Sequence, residues 1–157
     1  MMGLATFTGC RASAPPRSAA DLCAAQSGGD QQVDRAVPAT VGQVKDWYTA
    51  IVSGGKVINA DGTMSDYKFE WSKFSDVLAD ASLDEQVAVC VISAVKGMML
   101  LPAKFSAQFG WVEAMVIIAG PGEGWTFCTA GPREKMLDSA PTSFPYYPPP
   151  KVEKETQ

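Results

Sequence analysis

The chain carries no histidine, and that removes most of the catalytic menu. A Ser or Cys nucleophile is ordinarily activated by an imidazole base. Catalytic zinc, non-haem iron and proximal-His haem lean on imidazole ligands. Proton transfer stays open to Lys, Asp, Glu and Tyr. Two such groups stand out: Lys96 and Glu113 are the charges inside two apolar stretches. An isolated buried charge is costly, so each needs a partner or a route to solvent. If the stretches are antiparallel helices turning near Ala103, Lys96 lies seven residues before the turn and Glu113 ten after it. The axial mismatch is then about 4.5 Å at helical rise, which long side chains close. The sequence thus predicts a buried Lys96–Glu113 pair, with independent snorkelling of both to the surface as an equal alternative. As an acid–base pair they would also be the seat of any His-free enzyme. Gln108 and Glu113 carry oxygen donors that suit the magnesium of a chlorophyll, were this a pigment-protein subunit.

The cysteines, Cys10, Cys23, Cys90 and Cys128, form no Cys-x-x-Cys pair. Neither a zinc ribbon nor a thioredoxin-type site is supported. Their spacing is loose for a small disulfide framework. Cys90, in an apolar run, reads as a buried thiol, with a Cys90–Cys128 bridge as the minor alternative.

Residues 56–69 connect two apolar segments around Asp61-Gly62, a turn signal. One reading is a β-hairpin, with Val57 and Ile58 set against Tyr67, Phe69 and Trp71. The other is an interhelical loop. There Asn59, Asp61, Gly62, Thr63, Met64 and Ser65 resemble positions three and five to nine of an EF-hand calcium loop. That resemblance implies a weak cation loop built on Asn59, Asp61, Thr63 and Ser65. Val57 replaces its first Asp and Lys68 its bidentate Glu, and the cation would repel calcium. A plain Asp-Gly turn is the stronger reading.

The elements that would position these groups read as mainly α. Thr40 caps a helix with the apolar stripe Val41, Val44, Trp47, Tyr48, Ile51 and Val52, stopped by Gly54-Gly55. Residues 71–81 give a short amphipathic helix. Ser82-x-x-Glu85 is a capping-box pattern before a run, 87–101, that is apolar on all faces except at Ser93 and Lys96. A second apolar helix is read over 103–119, ended by Gly120-Pro121-Gly122. The expectation is about four helices, including an apolar hairpin over 83–119. That hairpin is set either in a protein core or, less favourably given its length, in a membrane.

Residues 1–37 read as a basic, Ser/Ala-rich arm or transit-like segment, because Arg11 and Arg17 precede the first acid, Asp21. Residues 38–119 form the expected domain and 120–157 a Gly/Pro-rich tail. Its end, FPYYPPPKVEKETQ, favours polyproline conformation and docking on a neighbour. A net charge of −4 with scattered Lys and Arg argues against nucleic acid. The four Trp residues read as core fillers.

Together these features predict a non-catalytic accessory subunit of an organellar, membrane-associated complex in a chloroplast or mitochondrion, of the photosystem, respiratory or ATP-synthase type. It would bind other subunits through 1–37 and 141–157 and touch lipid or chlorophyll. The alternatives are a soluble EF-hand-like module and a binder of small apolar ligands.

Overall fold

Two apolar runs decide the architecture, and each has a strand at its heart, over Gln86–Ala94 and Ala114–Ala119. The computed structural model describes residues 17–52, 56–66 and 69–145. In chain order it forms α1 (Ala19–Ala24), β1 (Gln31–Thr40), α2 (Val41–Val52), β2 (Lys56–Ile58), β3 (Met64–Asp66), α3 (Trp71–Phe74) and α4 (Asp76–Ala79). There follow β4 (Gln86–Ala94), β5 (Met99–Leu100), α5 (Ala103–Phe109), β6 (Trp111–Val112), β7 (Ala114–Ala119), β8 (Trp125–Gly131) and α6 (Arg133–Ser139). The centre is a four-stranded antiparallel sheet in the order β1-β4-β7-β8.

This corrects the mainly α expectation and, with it, the helical hairpin over 83–119. Ser82 opens a turn, with Glu85 N–H bonded to its carbonyl, and not a helix. The run after it is β4, paired with β7 from Ala88↔Ala119 to Ser93↔Ala114. The reason for the misreading is physical. Both strands are central, and both faces of the sheet are covered. Val87, Val89 and Val91 meet Val44 and Trp47 of α2, Leu78 of α4 and Met136 of α6. Ala88, Cys90 and Ile92 meet Leu22 of α1, Met99, Leu101 and Val112. A strand buried on both sides shows no polar alternation, so its pattern matches a buried helix. Each fully buried Val or Ile here contributes about 1.5–3 kcal/mol through removal from water. The expected helix over 103–119 does begin at Ala103 but stops at Gly110, which takes φ +65°, a conformation glycine adopts freely. Among the described residues no helix is long and apolar enough to cross a membrane.

The helix expected after Thr40 forms, though Ile51 of its expected stripe is exposed and the expected stop at Gly54-Gly55 lies outside the described residues. Thr40 Oγ1 accepts the Gln43 N–H at 3.2 Å and Gln43 Oε1 accepts the Thr40 N–H at 3.0 Å. Val41, Val44 and Trp47 are its buried stripe. The helix read over 71–81 is two single turns, α3 and α4, separated by extended Ser75. Of the stretch read as an arm, residues 19–37 supply α1 and most of β1. Cys23 of α1 is joined to Cys90 of β4 by a disulfide, correcting the reading of Cys90 as a thiol. Cys128 carries the free thiol among the described cysteines. Residues 1–16 and 146–157, which include the first part of the expected partner-binding arm and most of the expected 141–157 tail, lie outside the described residues.

Candidate functional site

β8 is an edge strand with β7 as its one sheet neighbour. It forms because Trp125, Thr126, Phe127 and Thr129 favour a pleated, half-buried surface, and because Gly120–Gly124 make a tight return from β7. Gly120, at φ +95°, closes that return by donating its N–H to the Gly124 carbonyl at 2.7 Å. In an antiparallel ladder alternate residues turn their N–H and C=O away from the partner strand. Among the described residues, no hydrogen bond beyond the β7 ladder takes up the backbone of Trp125–Gly131. The pairing slips at one point, from Val116↔Thr129 to Ile117↔Phe127, leaving Cys128 as a bulge that ends the regular stretch.

This edge is the floor of an open cleft of about 680 Å³. One wall is Lys73–Val77, from the end of α3 into α4; the other is Lys104, Phe105, Gln108 and Phe109 of α5. The walls are fixed to the floor by packing and one buried polar contact. Phe105 stacks on Phe127, centroids 4.3 Å apart, and Phe109 meets the same ring at 5.3 Å. On the opposite side the Ser75 and Thr126 hydroxyls lie 2.7 Å apart, both side chains buried, while Ser75 Oγ also caps α4 by accepting the Leu78 N–H at 3.1 Å. Gly124 allows this wall its close approach, since a Cβ there would fall 2.9 Å from Val77 Cγ1.

The ionisable groups of the cleft are Lys73, Asp76, Lys104 and Cys128. Lys73 reaches Glu70 at 3.2 Å. Lys104 has no carboxylate within ion-pair distance among the described residues, and its Nζ lies 5.4 Å from the Phe105 centroid. Burial pushes the half-buried Cys128 thiol well above its usual range, which favours its neutral form.

The residues singled out from sequence lie mostly elsewhere. Lys96 and Glu113 are exposed, and no ion pair joins them. Glu113 Oε1 instead accepts the Arg133 N–H at 3.4 Å. Gln108 does line the cleft, whereas Glu113 lies outside its lining. Asn59, Asp61, Thr63 and Ser65 sit in the β2–β3 hairpin, which pairs Lys56↔Asp66 through Ile58↔Met64. Their polar groups satisfy one another: Thr63 donates from N and Oγ1 to Asp61 Oδ1 at 3.0 and 2.6 Å, and Ser65 Oγ donates to Asn59 Oδ1 at 3.2 Å. A hairpin does form here, but its partner strand is Met64–Asp66 and not the expected Tyr67, Phe69 and Trp71: Trp71 opens α3, and Tyr67 lies outside the described residues. Sequence reasoning missed Trp125–Cys128, placed in an irregular tail. The signal was present as aromatic and β-branched residues between Gly124 and Gly131-Pro132. Neither a family model, nor a curated protein, nor a solved structure matches this chain.

Proposed function

We propose that the chain is a non-catalytic binding domain that captures an extended polypeptide segment of a partner protein by strand addition to β8. The observation that carries the reading is an open backbone edge lying at the foot of two walls. An added strand gains main-chain hydrogen bonds from such an edge and side-chain contacts from the walls. A second copy of the chain is a poor occupant, because its own β8 is flanked by the same two walls and they would meet. A single extended segment has no such flanks. The cleft groups also suit binding better than chemistry, with no imidazole and a thiol held protonated. This reading stays within the accessory, partner-engaging class expected from the sequence but rests on the domain itself and not on 1–37 and 141–157. The Cys23–Cys90 disulfide supports an oxidising compartment, where such bridges persist.

The test is a selection of displayed random peptides on the full chain, followed by amide hydrogen exchange with and without a selected peptide. Protection gained at Trp125–Thr129 is expected. Failure to select any peptide, protection confined to β1, or peptide-free protection of β8 in a self-associated form would each overturn the reading. A second reading, a small planar apolar ligand, is favoured by the Phe105–Phe127 stack and by a volume within the usual ligand range. Saturable uptake of an aromatic dye that no selected peptide displaces would favour it.

A further inference from the structure

The two walls differ in charge, and the difference bears on what the captured segment carries. The α3–α4 wall holds Lys73, whose charge is met by Glu70, and Asp76 beside it. The α5 wall, in the sequence AKFSAQF, holds Lys104 and no acid. Among the described residues the cleft thus holds two charges without an ion pair, Asp76 on the α3–α4 wall and Lys104 on the α5 wall, and Lys104 is the cation open to an incoming acid. It lies beside an aromatic surface of the cleft, with Nζ 5.4 Å from the centroid of the Phe105 ring that stacks on Phe127.

Resting on the strand-addition reading, we propose that Lys104 selects the segment by reading an acidic side chain, and that an apolar side chain two residues away packs on Phe105 and Phe127. The spacing follows from strand geometry. Side chains of an extended chain that share a face are two residues apart, or about 6.6 Å at 3.3 Å per residue. That matches a cation and a ring centroid 5.4 Å apart, given the reach of a carboxylate-bearing side chain. Neighbouring residues face opposite ways and cannot satisfy both contacts. The occupant is thus an acidic–x–apolar stretch, in either chain direction, not a generic apolar peptide. The charge contact fixes register and partner choice more than raw affinity.

The experiment repeats the peptide selection on the full chain and on Lys104→Glu, an exposed position whose exchange leaves the core untouched. Peptides from the unaltered chain should be enriched in Asp or Glu two residues from an aromatic or aliphatic residue. Those from the variant should carry Lys or Arg at that place, and acidic peptides should bind it about fivefold more weakly or worse. Raising the salt should narrow the gap. If both proteins select the same peptides while β8 is still protected, Lys104 is not the reader and the inference falls, leaving strand addition intact. If neither protein selects a peptide, strand addition itself falls.

Discussion

The two edges of the sheet are built to opposite ends. β1 is closed to further pairing by its own chemistry. Pro38 has no N–H to offer, and the register breaks between Val33 and Arg35, so that Asp34 is turned out as a bulge. Its charges are then occupied. Arg133 grips the Asp34 carboxylate through Nε and Nη2 at 3.0 and 3.1 Å, and Arg35 Nη1 donates to the carbonyls of Leu137 and Ala140 at the end of α6 at 2.8 and 3.2 Å. β8 has none of these guards over Trp125–Phe127. It lies between walls instead, which on the proposed reading would bar a second sheet edge and admit a lone strand. The contrast teaches that an open edge need not be a flaw when its access is shaped.

Breaking the β1 side should have the larger effect on stability. The Cys23–Cys90 bridge ties α1 to β4, beside β1, and closes a sequence separation of 67 residues. Chain-entropy reasoning gives about 4 kcal/mol for a loop of that length. Cys23→Ser, or reduction, should lower the urea midpoint accordingly, and an unmoved midpoint would show that α1 is not holding the sheet. On the β8 side, Ser75→Ala removes both the cap of α4 and the buried contact with Thr126. A loss of about 1–3 kcal/mol is expected, with weaker peptide capture beyond what the stability change explains. If capture is unaffected, the α3–α4 wall does not shape the site.

Gly124→Ala sharpens the same point with a smaller push. The new methyl must displace Val77, at about 1 kcal/mol, and should shift peptide preference while the thermal midpoint moves only a few degrees. The mildest test is pH. Burial by itself would raise the Asp34 carboxyl, but the hydrogen bonds from Arg133, Ser93 and Gln32 and the charge of Arg133 outweigh it and hold it below its ordinary value of 3.8. A depressed carboxylate stabilises the fold fully above its unfolded pKa and loses that contribution as pH falls through the folded one. Urea midpoints should therefore drop below about pH 4, and Arg133→Gln should flatten the drop while leaving peptide binding at β8 unchanged.

The elements legible in the sequence were those with local signatures. Thr40 marks the start of α2, Pro102 precedes the start of α5, and Asp61-Gly62 makes the β2–β3 turn; each depends on backbone chemistry within a few residues, whereas the stop of α5 at Gly110 was read through. The central strands were misread because their partners are distant in sequence. Nothing local tells Val87–Ile92 that Val33–Ala39 and Met115–Ala119 will flank it. The cleft was illegible for the same reason, since Lys73, Lys104 and Phe127 come from three separate elements.

By itself the sequence determined the absence of imidazole chemistry, the two apolar runs at the centre, and the turns that punctuate the chain. Tertiary structure alone decided that the hearts of those runs are strands, that Cys23 finds Cys90, and that among the described residues β8 pairs on one side only, between two walls. The physical reason is range. Composition and turn chemistry act on neighbouring residues, whereas pairing, disulfide choice and edge exposure depend on which distant segments share the core.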